Sequence, residues 1–288
     1  MHDSLVTIAR LVRADLTKLS HYWVVIVGYG AIAIIAVPGA ALTHFAEQAV
    51  KVTSGSGYDF AFSLMIRCLD MSASILFVMM CILFSIDVAN STVKYILTRP
   101  VTRTELLLSK YATAGVMIAL TLVLLWAGCL GAAWYYYGLG DLTENEYVIF
   151  EAGTMFRHVA MATLFLALGF GSVASMALAV SSYSSTMGGA IIIGLILYLF
   201  FGALALIPPT LGVTVHWGGE AHLLPYSTIS FPTQLFVPMY VLDNLSTGIP
   251  IESWWTWDIL RMTMVSVGFG LFFFGVAAHR VRKRDFAL

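Results

Sequence analysis

The sequence predicts an all-α membrane protein with six transmembrane helices and both termini in the cytoplasm. Three observations carry that prediction. Of 288 residues, 59% are hydrophobic and only 11% are charged, with a mean hydropathy of +0.87. A water-facing surface draws on about a quarter charged residues, so hydrocarbon is the solvent that suits this composition. Six apolar runs are each long enough to cross a bilayer at about 1.5 Å per residue. The basic residues are distributed unevenly between the two sides, which sets the orientation.

The elements follow in order. Within residues 1–21, Leu5, Ile8, Ala9, Val12, Leu16 and Leu19 recur at helical spacing, while Arg10, Arg13 and Lys18 lie largely off that stripe. This is the pattern of an amphipathic helix lying in the cytoplasmic interface. It is unlike the short basic n-region of a secretory leader, so the apolar run after it is read as a retained span. The spans are 22–42, 64–86, 111–134, 159–180, 186–207 and 259–278. A segment in lipid must satisfy its own backbone, so each is read as a helix.

With the N-terminus inside, Arg10, Arg13, Lys18, Lys94, Arg99, Arg103, Lys110, Arg280, Arg282, Lys283 and Arg284 fall on the cytoplasmic side. Of the fifteen basic residues, only Lys51, Arg67, Arg157 and Arg261 fall toward the other. Trp254, Trp255 and Trp257 precede the last span, where an interfacial aromatic belt belongs. The loop at 138–158 is acidic, with Asp141, Glu144, Glu146 and Glu151. The segment 208–257 is divided by Pro208, Pro209, Pro225, Pro232, Pro238 and Pro250. It reads as broken, re-entrant or interfacial helices, which persist only against protein or a wet cavity. Residues 280–288 form a basic cytoplasmic tail. No stretch reads as a soluble domain, so 1–288 is one membrane domain.

Several functions are disfavoured at this stage. The net charge of −1 lacks the basic face of a nucleic-acid binder. No Gly-x-x-x-x-Gly-Lys-(Ser/Thr) loop is present to cradle ATP. No HExxH or GxSxG motif supports hydrolytic chemistry. Cys68, Cys81 and Cys129 sit in apolar runs without metal-ligand spacing and read as small core residues. His216, Glu220, His222 and Met239 likewise match no ligand pattern. These readings predict a non-enzymatic chain with no cofactor or metal of its own.

The most informative segment is 88–110, between spans two and three. Pro100 forces Arg99 out of helical geometry and restarts the chain. Thr102 then stands three residues before Glu105, the spacing of a capping box. The segment therefore reads as a helix end, a break, and a new amphipathic start running into span three. On physical grounds alone it is either a basic loop obeying the positive-inside rule or a rigid knuckle that a soluble partner grips.

The run Lys94-Tyr-Ile-Leu-Thr-Arg-Pro-Val-Thr-Arg-Thr-Glu-Leu-Leu-Leu-Ser-Lys110, placed after the second of six spans, resembles the cytoplasmic coupling region of the type-2 ABC exporter permeases. Members carry a Leu-x-x-x-Pro-x-x-Arg-x-x-(apolar) pattern there. Here Ile96 (or Leu97, one residue closer), Pro100, Arg103 and Leu106 match it. The ending His279-Arg-Val-Arg-Lys-Arg-Asp-Phe-Ala-Leu288 is similar to the family's basic residues followed by Arg-Asp-(apolar). The resemblance implies the transmembrane subunit of an ATP-driven exporter in the bacterial cytoplasmic membrane. It implies a separate ATPase dimer that binds ATP and Mg²⁺, and a second copy or a homologous permease. Lys94, Arg99, Pro100, Thr102, Arg103, Thr104 and Glu105 then become the ATPase-contacting residues.

Two further constellations stand out. Arg67 and Asp70, three apart near the outer end of span two, share a helix face and can pair. They read as a structural pair or as part of an outer gate or pathway. Ala167, Gly171, Ser175 and Ala179 form a small-residue stripe on span four, which permits close helix packing within the chain or between subunits. A competing function is a membrane scaffold that recruits an extracytoplasmic partner through 208–257. An ion-driven carrier is disfavoured, because no inverted repeat and no mid-membrane ionisable pair is evident. The polarity of the spans favours lipidic, amphipathic or apolar cargo.

Overall fold

The computed structural model describes residues 2–50, 57–90, 101–144, 147–217, 220–230, 234–235 and 256–283. Within them the chain forms α1 (His2–Leu19), α2 (Trp23–Val50), α3 (Gly57–Ala89), α4 (Arg103–Tyr136), α5 (Ala152–Tyr183), α6 (Met187–Ala203) and α7 (Trp257–Lys283). Helices α2 to α7 are each long and apolar enough to span a membrane, in agreement with the six runs read from sequence. Several outrun the expected spans. Helix α3 has 33 residues, about 50 Å at the helical rise, and starts seven residues before the expected boundary.

Helix α3 is the central strut. It packs against α2, α4, α5 and α6, and Phe60, Leu64, Leu69, Leu76, Phe77 and Met80 along it are buried. Glycines allow neighbours to come close. A Cβ on Gly128 of α4 would lie 2.7 Å from Ala36 Cβ of α2. Where α4 ends, Gly138 takes φ +75°. Its carbonyl oxygen would lie 2.0 Å from a Cβ on Gly57, so the turn after α4 closes directly on the first residue of α3.

At the opposite end from the 91–100 connection the described residues include two antiparallel strand pairs. Strands β1 (Leu142–Glu144) and β2 (Tyr147–Phe150) pair antiparallel, as do β3 (Gly212–Trp217) and β4 (Glu220–Pro225). This corrects the helical reading of 208–257 for its first part. Val213 and Val215 alternate with Thr214 and His216, a period-two pattern of β-formers. A 3₁₀ turn follows at Tyr226–Ile229. Gln234 is then buried between α5 and α7. Its Oε1 accepts from Ser172 at 2.6 Å and Ser266 at 3.2 Å, and its Nε2 donates to the Ile229 carbonyl at 3.0 Å. Gly169 of α5 makes room, since a Cβ there would lie 3.2 Å from the Gln234 carbonyl oxygen. The rest of the expected broken-helix region, 236–255, lies outside the described residues.

The apolar stripe on α1 packs against the bundle only in part. Leu19 is buried, but Leu5 is 63% exposed and Ala9 is exposed. The face that turns inward against α4 carries Asp15, which is only 6% exposed. A carboxylate leaves water only when paired, and its partner leads to the site.

Candidate functional site

Four charged side chains meet where α1, α3 and α4 converge, beside the 91–100 connection. Lys110 Nζ donates to Asp15 Oδ1 at 2.8 Å and also to Asp87. Lys18 donates to Asp87 and lies 4.0 Å from Asp15. The Lys110 and Asp87 side chains are each 1% exposed. Burial pushes the Asp15 carboxyl above the usual carboxylate range, against the pull of Lys110. Buried ions persist only when neutralised and hydrogen-bonded, and here two anions balance two cations.

The elements explain the convergence. Asp87 stands on the last turn of α3, two residues before it ends, and Lys110 on the third turn of α4. The connection from 90 to 102 is therefore clamped at both roots. Asp15 and Lys18, three apart on α1, reach the same point from outside the bundle. From α5, Ser181 Oγ accepts the backbone N–H groups of Phe84 at 3.0 Å and Ser85 at 2.8 Å, one turn before Asp87. Beneath the ions, Phe84, Leu106, Leu107, Ala179, Ala277 and Val281 form a separate small apolar core.

The residues proposed from the coupling pattern fall on this junction in part. Thr102 is the N-cap of α4, and its hydroxyl and the Glu105 carboxylate make the expected reciprocal capping box. Glu105 also accepts from Ser4 Oγ of α1 at 2.6 Å. Arg103 donates to the carbonyls of Arg282 at 2.6 Å and Val281 at 3.3 Å, at the end of α7. Arg103 and Glu105 thus tie the start of α4 to both terminal helices. Thr104 is exposed. Lys94, Arg99 and Pro100 lie outside the described residues.

Arg67 and Asp70 do not pair, which corrects the sequence expectation. Asp70 instead accepts from the Tyr198 hydroxyl of α6 at 3.4 Å. Because α3 begins at Gly57, Arg67 and Asp70 lie about 15–20 Å along it. Both are exposed, as is the neighbouring Met71, on a helix that is mostly buried. Of the small-residue stripe, Ser175 and Ala179 are buried, with Ser175 Oγ 3.8 Å from a Cβ built on Gly270 of α7. Ala167 and Gly171 line an apolar groove of about 360 Å³ between α4, α5 and α7. On the other side, His222 of β4 stacks on Trp257 with ring centroids 4.5 Å apart. Met239 lies outside the described residues.

Sequence reasoning missed Asp15, Lys18 and Lys110 as a set. Lys18 and Lys110 are accounted for by the positive-inside rule. The one available signal was Asp15, a carboxylate within the inward-turning arc of α1.

Six apolar helices, a further helix α1 packed on α4 and two helix ends joined by a buried ion pair define a multi-pass membrane protein. The family model described as ABC-2 family transporter protein matches residues 11–202, which include the junction. The chain belongs to that family. It is therefore a transmembrane subunit of an ABC transporter, which associates with an ABC ATPase subunit, and a multi-pass integral membrane protein of a family whose usual location is the bacterial inner membrane. No curated relative matches the chain.

Proposed function

We propose that this chain forms the pathway of an exporter and that the Asp15–Lys18–Asp87–Lys110 junction transmits ATPase movement to its helices. ATP is bound with Mg²⁺ and hydrolysed by the partner dimer, against which the 88–110 segment rests with Lys94, Arg99, Pro100 and Thr104. Arg103 and Glu105 act as positioning residues. Their bonds to α7 and α1 make a push on the segment act on both terminal helices at once.

The observation that carries this reading is the pairing of Asp87 with Lys110. The two roots of the connection are joined to each other through a buried ion pair, so they move as one body with α1. A rigid-body shift of such a unit is the kind of two-state change that alternating access requires. The exposed Arg67 and Asp70 on α3 fit a face that a second permease copy covers or that lines the pathway, because charge facing lipid is costly.

The test is co-expression with the partner ATPase. The neutral pair Asp87→Asn/Lys110→Met keeps the charge balance but removes the ionic clamp. We expect the ATPase to co-purify while its hydrolysis no longer responds to the permease. Unchanged coupling in this variant rules out transmission through the junction. Normal coupling in this variant together with complete loss of function from changes in 208–230 supports a scaffold that recruits an extracytoplasmic partner.

A further inference from the structure

The elbow between α1 and α2 holds a cationic cleft whose arginines, Arg10 and Arg13, take no part in the junction; Lys18 is shared between the two. We infer that it binds the headgroup of an anionic phospholipid from the leaflet on the basic side, with the acyl chains lying along α2. The inference rests on the orientation set by the basic residues, and it does not depend on the junction's role in coupling.

The cleft, of about 660 Å³, is lined by Arg10, Arg13, Thr17, Lys18, His21 and Tyr22, together with Ala14. Positions 10, 13 and 17 follow helical spacing, so these side chains share the face of α1 that turns away from the bundle, and His21 follows from the turn after it. The elbow itself is hydrogen-bonded through. His21 N–H donates to the Lys18 carbonyl at 3.1 Å, Tyr22 N–H to Leu19 at 3.0 Å and Val25 N–H to Tyr22 at 3.0 Å. The cleft walls are therefore held in place by continuous backbone structure.

The chemistry of the cleft is that of a phosphate site. Arg10 and Arg13 are exposed, and neither makes an ion pair among the described residues. Two guanidiniums one turn apart present donors in the planar geometry that phosphate oxygens accept. The Tyr22 hydroxyl accepts from Asn90 Nδ2 at 3.1 Å and keeps its own proton to donate. The nearby carboxylates do not offset this charge. Asp15 is turned inward to Lys110 and Asp87 is buried with both lysines.

Position selects a lipid over a free anion. Immediately past the elbow, α2 exposes Trp23 (75%), Val24, Ile26 and Val27. A ligand with an anionic head and an apolar tail covers both surfaces at once, whereas inorganic phosphate covers only the first. The elbow is also where the interfacial helix turns into the first span, the depth at which headgroups lie.

The full chain, purified in a neutral detergent, is titrated with short-chain phosphatidylglycerol and short-chain phosphatidylcholine, and bound lipid is counted by native mass spectrometry. We expect preferential retention of phosphatidylglycerol. The preference falls about five-fold per arginine removed in Arg10→Gln/Arg13→Gln and is largely kept in Arg10→Lys/Arg13→Lys. It also weakens with added salt. Should the double variant fail to elute as a single species, Arg10→Gln and Arg13→Gln read the same preference separately. Equal retention of the two lipids by the wild-type chain overturns the site, as does an unaltered preference in the glutamine variants. Displacement of phosphatidylglycerol by inorganic phosphate at equal concentration makes this a free-anion site and overturns the lipid assignment. Loss of ATPase co-purification in the glutamine variants with lipid preference intact assigns the face to protein docking instead.

Discussion

Lys110 Nζ lies 2.8 Å from the carboxylate of Asp15, so a cation within a spanning helix is neutralised in part from a helix that does not span. The same lysine pairs with Asp87 across the connection, and Lys18 completes the set. Removing one member leaves an uncompensated buried charge, which costs about 3–5 kcal/mol. Asp87→Asn is expected to show that loss as lowered thermal stability in detergent. Asp15→Asn is expected to lose less, since burial already opposes its ionisation. The neutral pair Asp87→Asn/Lys110→Met should recover much of the loss, giving a non-additive cycle.

The Arg103 guanidinium donates to two carbonyls at the end of α7, groups that a helix leaves without intrahelical partners. Arg103→Ala is expected to cost about 1 kcal/mol and to fray the last turn. Limited proteolysis should then cut within 280–288 faster than in the parent, with insertion and yield unchanged. Unaltered cleavage would show that water caps these carbonyls equally well.

Two glycines of α4 should respond with opposite sign. Gly128→Ala forces a Cβ against Ala36 of α2 at 2.7 Å and is expected to destabilise by about 1–3 kcal/mol. Gly131 has nothing within 4 Å of a built Cβ, so Gly131→Ala is expected to stabilise through helix propensity by up to about 1 kcal/mol. Thermal melting of the two variants side by side measures the difference.

Orientation is checked with single cysteines in a background lacking Cys68, Cys81 and Cys129. Ser20→Cys and Asn90→Cys, both exposed, should be protected from impermeant thiol reagents in intact cells. Gly140→Cys, Thr210→Cys and Tyr226→Cys, also exposed, should label. Labelling of the first pair from outside reverses the topology.

Hydropathy made the six spans legible, because a run that must satisfy its backbone in lipid has one regular solution. The start of α4 was legible through Thr102 and Glu105, since capping is a local interaction with a fixed spacing. The β3–β4 hairpin was not read, although Gly218-Gly219 between alternating residues is a hairpin signal. The prolines around it drew the reading toward broken helices. The junction was not legible because its hydrogen-bonded ion pairs join residues 23 (Lys110–Asp87), 69 (Lys18–Asp87) and 95 (Lys110–Asp15) apart, and ion pairing over such separations leaves no periodicity. The Arg67–Asp70 pairing failed for the opposite reason. Helical spacing permits the contact but does not compel it, and Asp70 turns to Tyr198 instead.

The junction carries a consequence for energetics across the membrane. Two lysines and two aspartates sum to zero, so moving them together through the transmembrane field transfers no net charge. A single unpaired charge crossing the full field would exchange about 2.3 kcal/mol per 100 mV. The neutral cluster exchanges almost none of that. The cluster itself therefore adds almost nothing to any voltage dependence of the foot, and what remains is set by the other charges α1 carries, Arg10 and Arg13 among them.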